Sequence, residues 1–156
     1  MKVLFVSSEV FPLIKTGGLA DVSGSLPNAL QGLGVNIRIL MPGYPAVLKQ
    51  LTNLQTIGAL HHLPHIDHAE LLLGTIQETQ VKVIVIKAAA LYERDGGPYA
   101  DPSGLEWQDN PIRFGVLSKA AAILASDHSP ITDWRPDIVH CNDWQTGLAP
   151  AYMQLT

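Results

Sequence analysis

Short apolar runs alternate with stretches of helical spacing along this chain, and that alternation predicts most of its elements. Lys2 to Ser7 (KVLFVS) is a β-branched and aromatic run closed by polar residues, the pattern of a strand buried on both faces of a parallel sheet. After the segment Glu9 to Thr16, Gly17-Gly18 opens a stretch to Leu33 whose apolar positions Leu19, Val22, Leu26, Ala29, Leu30 and Leu33 follow helical spacing. Pro27 lies inside it and predicts a kink or a short leading turn, because proline removes a backbone donor; Gly34 is the expected stop. Asn36 to Met41 (NIRILM) is a second strand, ended by Pro42-Gly43 and a loop through Tyr44-Pro45. Strand, helix and strand in succession make a βαβ unit with a right-handed crossover, so the expected fold is a doubly wound, mostly parallel, Rossmann-like α/β sheet.

The middle of the chain follows another pattern. Leu71 to Ile76 and Val81 to Ile86 are β-rich runs separated by Gln77-Glu78-Thr79-Gln80, which predicts a hairpin returning to the sheet. Ala88 to Asp109 is rich in Gly, Pro, Asp and Tyr and reads as a long loop, a feature more often functional than accidental in a compact domain. Pro111 to Ser126 predicts a helix with Ile112, Val116, Leu117, Ala120, Ile123 and Leu124 on its apolar face, and Asp109 or Asn110 available as its cap. Ile138 to Cys141 is a short strand, and Thr146 begins a helix expected to continue to Thr156.

Composition narrows the function. At 156 residues, 47% apolar and 15% charged, residues 1–156 are expected to form one globular domain. A net charge of −4 with ten scattered basic residues excludes an extended nucleic-acid or anionic-membrane surface, which needs clustered Lys and Arg. Met1 is followed at once by a strand-like run, leaving no room for a leader, and no apolar stretch is long enough for a membrane helix; the expected location is the cytoplasm. Cys141 is the only cysteine and reads as a small thiol packed at a strand end. His61, His62, His65 and His68 invite a metal reading, since His61 and His65 are four apart, but Pro64 breaks the helix such a pair needs. The cluster is read as a solvated loop, and no metal is expected.

The chemistry concentrates between the first strand and the first helix, in Ser7 to Val22 (SSEVFPLIKTGGLADV). In open α/β sheets ligands bind beyond the carboxyl ends of the strands, where helix N-termini offer free amides to anions. Gly17-Gly18 lets the backbone approach a diphosphate, and Lys15 adds a full positive charge. By themselves, two glycines after a lysine also fit a plain turn with a solvated side chain. Neither a G-x-G-x-x-G nor a G-x-x-x-x-G-K-[ST] pattern is present, so nicotinamide and nucleoside-triphosphatase readings lack their fingerprint.

Lys15-Thr16-Gly17-Gly18-Leu19-Ala20-Asp21-Val22 resembles the KTGGLADV signature of bacterial glycogen synthases and plant starch synthases. Ser8-Glu9, Gly24, Leu26-Pro27 and Met41-Pro42 resemble the same family in order and spacing. A second match runs from Pro136 to Leu148 (PDIVHCNDWQTGL), with Asn142 in the plant-like form where many bacterial members have His. A third is Tyr92-Glu93-Arg94 with Gly97-Pro98-Tyr99, ahead of the helix containing Arg113-Phe114. The resemblance implies the N-terminal lobe of a two-lobed GT-B fold. The implied enzyme is a metal- and cofactor-free, retaining glucosyltransferase moving glucose from ADP-glucose to the non-reducing end of an α-1,4-glucan acceptor. It implies sugar-nucleotide binding by Lys15, Gly17 and Gly18, and places Tyr99 and the candidate catalytic residue Asp143 in the active-site cleft. Asp21 belongs to the signature and has two readings: facing sugar, or complementing the helix dipole. Trp144 is read as a packing residue beneath the loop in preference to a sugar-stacking platform. The family's further histidine and its C-terminal lobe are missing from these 156 residues, so the chain is not expected to catalyse alone. Rival readings are a non-catalytic sugar-nucleotide or glucan module and a dinucleotide-binding enzyme.

Overall fold

The computed structural model describes residues 1–155 as one six-stranded sheet in the order β3-β4-β5-β2-β1-β6. The strands are β1 (Lys2–Val6), β2 (Asn36–Pro42), β3 (Thr52–Leu63), β4 (Ile66–Thr75), β5 (Lys82–Lys87) and β6 (Ile138–Cys141). The helices are α1 (Gly18–Gly32), α2 (Pro45–Gln50), α3 (Ala89–Tyr92), α4 (Asn110–Ala125) and α5 (Ala149–Leu155). β1 pairs in parallel with β2 and β6, and β2 with β5, while β4 is antiparallel to both β3 and β5. Five strands therefore share one direction and only β4 opposes them. The doubly wound, mostly parallel reading holds, as does the expected hairpin of β4 and β5.

The chain steps from β1 to β2 in one direction across the sheet, and from β5 back past β2 and β1 to β6 in the other. Right-handed crossovers of opposite sense put α1 and α4 on opposite faces. The centre is dry: Leu4, Phe5, Val6, Ile39, Leu40, Met41 and Val83 to Ile86 are fully buried. The order reverses between β1 and β6, so their carboxyl ends, Ser7 and Asn142, flank the crevice where such sheets bind ligands.

Several elements depart from the pattern read in the sequence. Residues 52–63 form a strand, and with β4 they place His61 to His68 on a hairpin around Pro64-His65 rather than in a solvated loop. Pro45–Gln50 is a short helix where a loop is expected, with Pro45 at its first turn. Residues 88–109 contain the single turn α3 before the loop proper. Asp109 stands at the N-cap of α4, but neither it nor Asn110 caps through its side chain: Asp109 turns to Arg94 at 2.5 Å, and Asn110 donates to the Tyr99 carbonyl. The helix expected from Thr146 is a 3-10 turn, Trp144–Thr146, followed by α5; its continuation to Thr156 lies outside the described residues.

α1 runs unbroken through Pro27, and its seat differs from the periodic apolar set. Ala20, Ser23 and Pro27 are the buried residues, whereas Val22 is 50% and Leu33 82% exposed. Small residues bring α1 close to the end of β1, where the Ser23 and Ser7 hydroxyls share a 2.8 Å hydrogen bond and both are fully buried. Close approach also explains Gly24, since a Cβ there would lie 2.4 Å from the Phe11 carbonyl oxygen. Phe11 N–H in turn donates to Ala20 at 3.0 Å, clamping the loop after β1 onto the helix. Gly24→Ala is expected to destabilise the fold by about 1–3 kcal/mol, the usual cost of forced overpacking. A urea unfolding midpoint equal to that of the unsubstituted chain would show that the loop yields without cost.

Candidate active site

The site is built where β1 and β6 end. Asn142 fastens the two strands beyond their last pair: its backbone N–H and its side-chain Nδ2 both donate to the Val6 carbonyl, at 3.2 and 2.8 Å. The next residue, Asp143, has φ 62° and ψ −178°, a region that glycine occupies freely and other residues do not. Its Oδ1 accepts from Trp144 N–H at 2.7 Å, and its carbonyl accepts from the Thr146 amide and hydroxyl. These hydrogen bonds hold the exposed carboxylate in one place against the strain of its backbone, at the end of a strand beside the switch point.

Tyr99 reaches this place from the long loop. Its hydroxyl lies 2.8 Å from the Ser8 hydroxyl just beyond β1, and its ring packs 5.8 Å from Phe114 and 6.4 Å from Trp144, centre to centre. Burial drives its phenol pKa well above the ordinary value, and the negative charges of Glu9 and Asp143 add to the rise. That coupling puts Tyr99 within electrostatic range of both carboxylates. Trp144 is 61% exposed, so the structure corrects its reading as a buried packing residue: one edge meets Phe114 and much of the indole faces solvent. Tyr99, Trp107, Asn110 and Trp144 help line a cavity of about 600 Å³.

Lys15, Gly17, Gly18 and Asp21 form a second group at the same edge of the sheet. The Lys15 ammonium contacts both oxygens of Asp21, at 2.8 and 2.7 Å, so it is neither free nor simply solvated. No side chain caps α1, and nothing in the protein fills the space where a Cβ of Gly17 or Gly18 would stand. Uncapped amides with open space above them are what an anion needs to approach a helix N-terminus. Glu9 joins the two groups. It is buried, its Oε2 accepts from Thr16 N–H at 2.6 Å and Thr16 Oγ1 at 2.8 Å, and its charge acts on Tyr99.

Sequence reasoning did not single out Arg113 as a supporting residue, yet it organises the Tyr99 loop. Its side chain is buried within α4 and donates to the carbonyls of Leu91 and Pro98 and to Asn110 Oδ1, at 2.8, 2.8 and 2.7 Å. Tyr92 closes the arrangement by donating its hydroxyl to the Arg113 carbonyl at 2.6 Å. Three acceptors belong to the segment around Tyr99 or to its anchor, Asn110. The signals in the sequence were its place in the third family match and an arginine on a largely apolar helix.

The chain is thus a doubly wound α/β domain with an uncapped helix N-terminus after β1 and an exposed carboxylate, Asp143, after β6, the edge at which such sheets take ligands. Residues 2–156 match the family model of the starch synthase catalytic domain, and the chain belongs to that family. It is 52% identical over 156 residues to a glycogen synthase of Nitrosospira multiformis and 53% identical over 156 residues to one of Nitrosomonas eutropha. Each alignment covers 98% of this chain and 31% of the relative. The fold superposes on the catalytic domain of starch synthase IV from Arabidopsis thaliana, solved with ADP and acarbose, with TM-score 0.76 and 26% identity. That match covers 97% of this chain and 31% of the other. The chain thus spans about a third of the length of the proteins it matches.

Substitutions at two residues test this arrangement. Asp143→Ala and Asp143→Gly both remove the carboxylate, but only glycine relaxes the backbone, so the Gly variant is expected to be more stable than the Ala variant by about 1–3 kcal/mol. Equal urea midpoints would remove strain from the account. Arg113→Met leaves three buried acceptors without a donor and is expected to lose at least about 3 kcal/mol, at roughly 1–3 kcal/mol for each abandoned group. Thermal unfolding within a degree of the unsubstituted chain would sink the role given to Arg113.

Proposed function

We propose that this chain is the N-terminal part of a retaining glucosyltransferase that moves glucose from ADP-glucose to the non-reducing end of an α-1,4-glucan in the cytoplasm, with residues 1–156 lying in one lobe of a GT-B enzyme. Identity near one half to glycogen synthases over almost the whole chain carries the proposal. The open N-terminus of α1 beside Lys15 supports it chemically.

Departure of ADP builds negative charge on the diphosphate and oxocarbenium character on glucose. The amides of Gly18 and its neighbours and the Lys15 ammonium stabilise the first, preorganised before the charge develops. Asp21 serves as the counter-ion that keeps Lys15 aimed at the mouth of the helix. Asp143, fixed by its own backbone, accepts from a glucose hydroxyl and is the candidate catalytic residue of this lobe. Tyr99 stays protonated at neutral pH and donates or accepts at a sugar hydroxyl, while the exposed face of Trp144 stacks on an acceptor ring. The chemistry requires neither a metal nor a further cofactor, and the missing C-terminal lobe supplies the remaining donor contacts and the exclusion of water.

The 156-residue chain alone is expected to give no glucan elongation from radiolabelled ADP-glucose and a glucan primer. Joined to the remaining two-thirds of a relative's length, it is expected to be active. In that longer enzyme Lys15→Ala should lower kcat/KM on the order of 10- to 100-fold, the kinetic equivalent of about 1.5–3 kcal/mol for a charge-assisted contact. Elongation by the short chain would overturn the division of labour between lobes, and normal turnover by Lys15→Ala would take Lys15 out of the site.

A further inference from the structure

Four of the chain's six histidines lie on the β3–β4 hairpin: His61 and His62 near the end of β3, His65 in the turn and His68 on β4. The spacing of His61 and His65 suits a helix, which this segment does not form. The hairpin creates a different pair. Its register sets His61 directly opposite His68, with ring centres 6.2 Å apart and planes 31° from parallel. Directly opposed residues of antiparallel strands project from one face of the sheet, and both of these are exposed. His62 and His65 both have positive φ, at 58° and 60°, and do not share that opposed register.

We propose that His61 and His68 form a cross-strand binding site for a borderline divalent transition-metal ion, Zn²⁺ in particular. Imidazole nitrogen is a good ligand for this class of ion and binds Zn²⁺ at about 2.0–2.1 Å. Two rings on one tetrahedral ion then have centres on the order of 5 Å apart. The separation of 6.2 Å exceeds this by roughly 1 Å, a gap that small side-chain rotations of exposed rings close. Among the described residues no three His, Cys, Asp or Glu side chains gather to hold a metal, so the ion takes two protein ligands and completes its shell with water. Only neutral imidazole coordinates, and protons therefore compete with the ion. β4, β5 and β2 separate this edge of the sheet from β1, so the site stands apart from the proposed active site and does not depend on it. Its effect is to clip the two strands together beside their turn.

The test is calorimetric titration of the metal-stripped 156-residue chain with ZnCl₂, paired with thermal melting and with light scattering. One ion should bind per chain, the chain should remain monomeric, and the melting temperature should rise by about 3 °C or more at a hundredfold excess over Kd. His61→Asn and His68→Asn should each abolish the rise. Both positions are exposed, and circular dichroism shows whether each variant is folded. The triple variant His62→Asn, His65→Asn, His128→Asn should keep the rise. No heat and no rise with the unsubstituted chain would overturn the proposal. So would a rise that survives both single substitutions, or zinc-driven dimers in place of a loaded monomer.

Discussion

The loops at the carboxyl edge carry backbone amides and carbonyls that no neighbouring strand can pair, and burying them obliges side chains to supply the partners. That obligation shapes the site. Asn142 covers the last carbonyl of β1, Glu9 takes the Thr16 amide, and Asn110 and Arg113 take carbonyls of the 91–99 segment. Each of these polar side chains is held by the fold and also fixes a segment bearing a candidate functional group. Stability of the edge and geometry of the site are therefore one problem, solved by the same hydrogen bonds.

Arg113 shows how far this goes. It is the largest fully buried side chain among the described residues, and burial lowers its pKa from the ordinary guanidinium value, with nearby tyrosines and Asp109 pulling back the other way. Its hydrogen bonds go to carbonyl and amide oxygens, which spread the charge. Asp109 is occupied by Arg94, whose hydrogen bond lowers the Asp109 pKa. Tyr92 and Phe114 border the guanidinium with their ring faces, at 5.7 and 5.5 Å.

Much of this was legible in the sequence, for reasons that are local. β1, β2 and β5 are short, nearly continuous apolar runs, because strands at the middle of a parallel sheet are buried on both faces, whereas β6 is a half-exposed edge strand marked by its short apolar run alone. β3 was not legible: TNLQTIGALHHL is an edge strand with mixed burial, two register shifts and positive φ at Asn53 and His62, so it lacks a period of two. α2 has six residues, too few to show a helical period. α1 was found, but its buried face was not, because Ala20, Ser23 and Pro27 make close contact through small size rather than apolar bulk. Lys15, Asp21, Tyr99 and Asp143 were marked through motif agreement. Their physical supports, Glu9 and Arg113, are charged residues whose burial only the three-dimensional structure shows.

The ion pair between Lys15 and Asp21 has a consequence for how an anion would arrive. Both side chains are about half exposed, at 46% and 53%, and such a pair is worth only about 0–1 kcal/mol in water. An incoming diphosphate would not meet a bare cation but would displace a carboxylate, an exchange of counter-ions rather than the creation of a new pair. The weakness of the resident pair keeps that exchange cheap, and its bidentate geometry spares the long lysine chain from being ordered afresh at each encounter. Lys15 is in this sense stored under light tension, parked on a partner it can readily leave.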